Sequence, residues 1–511
     1  MKILNDLEYL RLSKFKKFLY SILIFFISIP EFIFNMIKKV GLLIKKGILV
    51  VVNIIKTIIL TFIKGNWKTK VSYVILGFGN FTKGQKLKGI LFFVFQLVFV
   101  IYMLLYGIHW LSQMDNLGEV LLRNEYNPIT DTYDDIPGDN SFKILFYSLL
   151  TICFIIAYLA TWYMNIKQNK VMDEIIAAGK KVKSGKEDLR SLIDDQFHKT
   201  LLALPLTGIM LFTVIPIIFM ILVAFTNYDA QHDGYSNLFT WVGLDNFNEL
   251  LNWNSGTSNM SVAFGEILSW TLMWAILATF TNYFLGMFVA ILINKRGIKF
   301  KKGFRGILVL TIAIPQFISL LYVSKLFAST GMVNGLLLRF GIIKDTSQLI
   351  RFWEEPTLAR IMVVLINIWI GIPYLMLIST GVLMNIPQEL YESSKIDGAN
   401  GWQQYRKITL PYMLFVTGPY LLTSFIGNLN NFNVIYLLTG GGPTNPDLLT
   451  SGGSAGHTDL LITWLFNITT GTTSNYKLAS VIGIMIFIVV ATISVVVYNL
   501  IPSTRNEEDY A

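Results

Sequence analysis

Two groups of polar side chains recur at one spacing. Asn367, Ile370, Gly371 and Tyr374 stand at i, i+3, i+4 and i+7, and Ser424, Gly427, Asn428 and Asn431 repeat that interval. On a helix, each set shares one face. Polar residues inside apolar spans are costly, so they mark a pathway or a packed interface. Asparagine offers both a donor and an acceptor, which suits sugar hydroxyls. Tyr374 offers a flat apolar face with a polar tip, which suits a pyranose ring. The glycines open space beside the amides. Small and polar residues also join spans to one another, and a single asparagine would favour that reading. Two matching faces on the spans that flank one polar loop favour a substrate site.

That loop covers 385–411, between apolar stretches near 358–384 and 412–438. Pro387 can open a short helix, since a first-turn residue needs no N–H partner. Glu389 and Glu392 fall early in it, where the helix dipole favours negative charge. Gly398 is suited to stopping it. A second short helix is expected over about 401–408, with Trp402, Tyr405 and Ile408 on one side, before Leu410-Pro411. A helix–glycine–helix hairpin of this kind exposes apolar groups and needs a partner.

Few other residues could do chemistry. Cys153 is the only cysteine, so neither an internal disulfide nor a thiolate metal site is expected. His109, His198, His232 and His457 are scattered. The stretch from Gly179 to Gly185-Lys186 superficially resembles a phosphate-binding loop. Its spacing is one residue too long, and Glu187 stands where a Ser or Thr would meet magnesium. The chain is therefore expected to hydrolyse no ATP itself and to be non-catalytic, without metal or cofactor.

The positioning elements must be membrane helices. Of 511 residues, 53% are hydrophobic and only 14% charged, against about 25% charged in soluble proteins. Several apolar runs exceed the ~20 residues that cross a bilayer. A net charge of +10 would suggest nucleic acid in a soluble chain. Here the lysines cluster in short loops and set topology instead. No signal-peptide cleavage pattern is evident, so the first span is expected to direct insertion.

An all-α, polytopic fold with about eight spans follows, near 89–111, 143–165, 201–225, 266–293, 304–327, 358–384, 412–438 and 477–501. Pro315 should kink the fifth. The basic run 294–302 marks an inner loop, and the acids Asp131, Asp134, Asp135 and Asp139 mark an outer one. Both termini and the 385–411 loop then face the cytoplasm. Four regions result: a basic, apolar N-terminal segment (1–70), two spans with a cytoplasmic amphipathic linker (71–199), a transport core (200–501) and a tail (502–511). In the first, apolar stretches at 18–37 and 48–63 alternate with lysines. Helices lying in the cytoplasmic interface fit this best, with lysines reaching anionic lipid headgroups. A hairpin of two spans is the alternative.

The polar loop resembles the EAA loop of ABC-importer permeases. Glu392-Ser-Ser stands for Glu-Ala-Ala, Asp397-Gly398-Ala399 follows, and Ile408-Thr-Leu410-Pro411 closes it. In that family the loop docks into a cleft on a cytoplasmic ATPase subunit. The resemblance implies coupling roles for Glu392, Asp397, Gly398, Ala399, Trp402, Tyr405, Leu410 and Pro411. From about 200 to 501, the chain is also similar to the larger membrane subunit of maltose-type oligosaccharide importers. Asn367-Ile-Trp-Ile-Gly-Ile-Pro-Tyr374 and Ser424-Phe-Ile-Gly-Asn-Leu-Asn-Asn-Phe432 match that family's sugar-contacting spans. This implies sugar contacts at Asn367, Ile370, Gly371, Tyr374, Ser424, Gly427, Asn428 and Asn431. Leu437-Leu-Thr-Gly-Gly-Gly-Pro443 is similar to the outer loop after span seven.

The family further implies a plasma-membrane protein with a second permease subunit, two ATPase subunits that bind the ATP, and an extracytoplasmic sugar-binding protein. Some relatives carry a large folded domain between spans three and four, where this chain has only about 226–262. Ser393-Ser394 is a mild departure from Ala-Ala. A permease for a phosphorylated solute such as glycerol phosphate would call for buried basic residues, and the two polar faces contain none. An ion-coupled carrier would call for intramembrane carboxylates or broken helices, and the faces carry amides. No catalytic constellation supports an enzyme-bearing or structural scaffold.

Overall fold

The computed structural model describes Lys38 and residues 41–500, apart from Thr130, Lys183, Ser236, 253–259, Arg296, 451–452 and 472–473. The apolar stretch expected at 18–37 and the tail 502–511 lie outside the described residues. Among those described, eight helical segments are long and apolar enough to cross a membrane. They are α1 (Gly41–Lys64), α4 (Lys86–Ser112), α5 (Ser141–Ala177), α7 (Phe197–Val223), α9 (Met260–Asn294), α13 (Pro356–Met384), the segment Gly401–Thr439, and the last helix, α19 (Tyr476–Leu500). The chain is an all-α, multi-pass membrane protein. Short helices α2 (Trp67–Val71) and α3 (Phe78–Thr82) precede α4, α6 (Gly185–Ile193) precedes α7, and α8 (Asp245–Leu251) precedes α9.

Three details differ from expectation. α1 is one continuous helix running through Lys45, Lys46 and Lys56, and its length and composition suffice for a span. The predicted fifth span is two helices, α10 (Lys301–Ala313) and α11 (Gln316–Leu326), bent by 89° rather than kinked. Pro315 forces the residue before it out of the helical region, and Ile314 is extended, with φ −81° and ψ 125°. Two small antiparallel hairpins also occur. β1 (Arg123–Asn127) pairs with β2 (Thr132–Ile136) inside the acidic loop, and β3 (Thr444–Thr450) pairs with β4 (Gly453–Gly456). Tyr126 lies opposite Tyr133 across the first, with ring centroids 5.6 Å apart.

The chain divides into two compact units. One contains the described residues up to Ser112 and Tyr147–Leu211. Its centre is polar. Asn165 and Asn169 of α5 bond to the 72–80 turn, where Asn165 Oδ1 accepts from Gly77 N (3.1 Å) and Asn169 Nδ2 donates to Asn80 Oδ1 (3.2 Å). Gly77 sits at φ +80° with its Cα against the Gly89 backbone, so no side chain fits there. Lys83, with a side chain only 2% exposed, pairs with Asp173 of α5 at 2.8 Å. Burial lowers the lysine's pKa, and Asp173 pulls it back up.

The other unit contains Gln113–Phe146 and the described residues from Phe212 onward. Its core is built on α9. One apolar cluster gathers around Trp274, Leu320, Val363 and Val434, and another around Phe264, Trp464 and Ile482. The 241–247 stretch forms a turn that leads into α8. Trp241 bridges to Thr226, and Asn246 Nδ2 donates to Ala224 O (2.8 Å) and Thr226 O (2.7 Å). After helix α18 (Leu461–Thr470), whose N-terminal side carries Asp459, the chain enters α19. The Asp459 carboxylate accepts from Gly456 N and Thr463 Oγ1, each at 2.8 Å. Burial pushes its pKa up to about 6, against the pull of these donors.

Two outcomes are expected. Asp173→Ala strands a buried lysine charge, so it should cost about 3 kcal/mol, read as a lowered unfolding midpoint of the purified protein. For Asp459, the folded carboxyl holds a proton that the unfolded one releases near ~3.9. The resulting stabilisation is full below about 4 and is lost as pH rises through about 6. Asp459→Asn should flatten the pH dependence of the unfolding midpoint over that window.

Candidate functional site

The polar faces meet where three helices pack. α9 and α13 form the most extensive helix pairing in the chain, and α16 (Leu410–Leu429) packs on α9 beside it. On α13, Asn367 is 6% exposed, and its Nδ2 has no hydrogen-bond partner among the described residues. Ile370 is half-buried against the Trp274 cluster. Gly371 lies so close to α9 that a Cβ there would sit 2.3 Å from Asn282 Nδ2. Tyr374 is 50% exposed, with its ring centroid 6.4 Å from Tyr420 of α16. Tyr420 lies one helical turn before Ser424, on the same side of α16. The structure thus brings the hairpin-side end of the first predicted face to the second through Tyr420.

On α16, a Cβ at Gly427 would meet open space. Asn428 is tied to α9: its Nδ2 donates to Thr279 Oγ1 (3.0 Å), and its carbonyl accepts from Trp274 Nε1 (3.2 Å). The second face is not one uninterrupted helix, as the spacing predicted. α16 stops at Asn430, and Asn431 caps a new helix, α17 (Phe432–Thr439), accepting from Val434 N at 3.3 Å. Asparagine side chains compete with helical backbone bonds and favour caps, so a run of them breaks the helix. Asn431 nonetheless stays in the cluster by donating from Nδ2 to Asn428 Oδ1 (3.2 Å).

Sequence reasoning missed the contribution of α9, where Thr279 and Asn282 stand at i and i+3 inside an apolar span. It also missed Tyr420, four residues before Ser424 and so on the same side of α16. The spacing used for spans six and seven would have found both.

The 385–411 loop is a hairpin fixed by its own bonds. α14 (Gln388–Ile396) follows Pro387, and Gly398 then takes φ +77°, a value that favours glycine. Asn400 caps α15 (Gly401–Gln404) through a reciprocal pair with Gln403, 2.9 Å each way. The expected stop before Leu410-Pro411 does not occur. A π-helical turn, Tyr405–Thr409, carries α15 directly into α16, and Pro411, which has no N–H to give to the preceding turn, follows just after it. Gln404 Nε2 donates to Tyr391 O (3.1 Å) and Ser394 Oγ (2.9 Å), and the Tyr391 and Thr409 hydroxyls meet at 2.8 Å. Trp402 stacks on Tyr405 with centroids 5.4 Å apart. Glu392, Asp397 and Gly398 are exposed, and Ala399 and Leu410 are half-buried. Ile396 is 88% exposed and Trp402 67%. Large exposed apolar groups rimmed by charge mark an interaction surface.

This constellation has close parallels among known proteins. Residues 282–505 match the family described as binding-protein-dependent transport system inner membrane component. The maltodextrin transport system permease of Streptococcus pneumoniae is 36% identical over 84% of this chain and 95% of its own length. The chain belongs to this permease family. The maltodextrin permease of Bacillus subtilis is 32% identical over 88% of this chain and 98% of its own, and that organism's galactooligosaccharide permease is 32% identical over 85% and 97%. The chain is therefore a membrane transport component of a binding-protein-dependent system, as the EAA-like loop implied, and the secondary-carrier alternative falls away. The family match begins at Asn282, so it takes in the polar cluster and the whole 385–411 hairpin.

Gly398→Pro would impose φ near −65° on a turn that needs +77°. It is expected to abolish transport, measured as uptake in reconstituted vesicles. Normal uptake would show that the turn is not needed.

Proposed function

We propose that this chain is one membrane subunit of an ATP-driven ABC importer for oligosaccharides, with malto-oligosaccharides the favoured class. The single observation that carries the reading is near full-length similarity to permeases named for maltodextrin, combined with amides and tyrosines gathered between α13 and α16. The chain pairs with a second, similar permease subunit and two ATPase subunits, and it receives sugar from an extracytoplasmic binding protein. Both termini and the 385–411 hairpin face the cytoplasm, as the basic loops require. ATP is bound by the partner subunits.

In this mechanism the ATPase cleft holds the exposed Ile396–Trp402 end of the hairpin. Glu392 and Asp397 supply charge at its rim, and Ala399, Tyr405, Leu410 and Pro411 shape the arm that joins it to α16. Because α15 runs into α16 without a break, closure of the ATPases is delivered to the sugar face as a rigid-body movement. Asn367, Gly371, Tyr374, Ser424, Gly427, Asn428 and Asn431 then alternate between outward and inward access, with Ile370 closing the apolar side. Amides hold the hydroxyls, and Tyr374 stacks on the ring.

The test is ATPase activity of the reconstituted complex, with its binding protein, in the presence of maltotriose, a galactooligosaccharide or glycerol 3-phosphate. Stimulation by maltotriose is expected. Failure of any ATPase to co-purify, or a response to glycerol 3-phosphate alone, would overturn the reading.

A further inference from the structure

Two buried polar atoms in the middle of the membrane core are left without partners, and they are complementary. Asn367 on α13 has an unbonded donor, Nδ2, and Asn282 on α9 has an unbonded acceptor, Oδ1, among the described residues. Both side chains are more than nine-tenths buried, at 6% and 7% exposed. Gly371, one turn from Asn367 on the same face, is pressed directly against the Asn282 amide, with a Cβ position 2.3 Å from Nδ2 and 3.0 Å from Oδ1. A larger residue there would collide with the Asn282 amide, so α13 packs closely on α9 at this point. Other polar groups at this level of α9 are satisfied: Thr279 bonds Asn428, and Tyr283 bonds Thr417 at 2.9 Å.

Orphaned buried amides are rare because each forfeits the hydrogen bond it had with water. A lone donor on α13 and a lone acceptor on α9, one helical turn apart by way of Gly371, are both satisfied by a single group that accepts one hydrogen bond and donates another. A hydroxyl does this, and each sugar unit of an oligosaccharide carries several.

We infer that Asn282 is a sugar-contacting residue on a third helix, and that it and Asn367 together hold one substrate hydroxyl between α9 and α13 when those helices part. Asn367 Nδ2 donates to the hydroxyl oxygen, and the hydroxyl proton is donated to Asn282 Oδ1. The closed arrangement described here leaves both amides wanting. Sugar therefore stabilises the parted arrangement, so substrate binding and helix movement favour each other. This inference rests on the oligosaccharide reading above and extends that site beyond spans six and seven.

The experiment measures maltotriose uptake by the complete reconstituted complex, comparing Asn282→Leu and Asn282→Ala with the unsubstituted chain. Leucine keeps the volume and removes the acceptor. The half-saturating maltotriose concentration is expected to rise about tenfold in both variants, the size of one lost hydrogen bond to a buried amide. A panel of monodeoxy maltotrioses separates contact from packing. One member should be imported poorly by the unsubstituted complex, yet no worse than maltotriose itself by Asn282→Leu. A purely packing role would leave discrimination among the deoxy sugars unchanged, and that result overturns the inference. So does failure of both variants to assemble with the partner subunits, which would make Asn282 a packing residue. If the unsubstituted complex imports no oligosaccharide, the underlying function falls instead, a result that the unsubstituted control alone identifies.

Discussion

A long helix crossing an apolar medium must find every buried polar group a partner on its neighbours, because no water is available to supply one. α9 carries that constraint. Trp270 donates to Thr458 O (3.3 Å), Trp274 to Asn428 O (3.2 Å), Thr279 accepts from Asn428, Tyr283 meets Thr417, and Asn294 reaches Thr380 Oγ1 (3.3 Å). These contacts run from one end of the helix to the other and engage α13, α16 and the 440–460 segment in turn. The register of those elements against α9 is set by bonds that would be costly to leave unmade. The series breaks at Asn282 Oδ1, and facing α13 leaves Asn367 Nδ2 and Ser379 Oγ without partners among the described residues.

The same physics separates stiff parts from parts that can move. The hairpin at 385–411 is capped, cross-bonded and continuous with α16, so it transmits displacement rather than absorbing it. Past Ser424 the helix breaks at Asn430-Asn431, and α10 and α11 break at Ile314-Pro315.

The segments that enter and leave α9, α13 and α19 opposite the hairpin are tied down individually. Arg360 donates to His457 O (2.7 Å) and lies 4.7 Å from the Trp270 ring centroid, while its guanidinium approaches Glu266 at 3.8 Å. Asp229 joins the 226–242 loop to α19 by a 2.8 Å pair with Lys477. Burial alone would raise the Asp229 pKa, but Lys477 and His232 outweigh it and hold the carboxyl at about 2. With Asp459 nearby in sequence to β4, these bonds brace the end of the core opposite the hairpin.

The sequence by itself determined the fold class, the approximate places of seven of the eight expected spans, and the helix–glycine–helix hairpin at 385–411. Each of those is local: hydropathy over ~20 residues, proline and glycine at turn positions, and a contiguous motif. It also determined which amides and aromatics would share a face of α13, because helical periodicity follows from spacing alone. Only the tertiary structure decided what those faces meet. Asn428 looked equivalent to Asn367, yet one is spent on Thr279 and the other is left unbonded. That difference depends on the side chains α9 presents from some 90–150 residues away in the chain. The break at Pro315 was legible as a kink from its local rule, but its 89° angle was not.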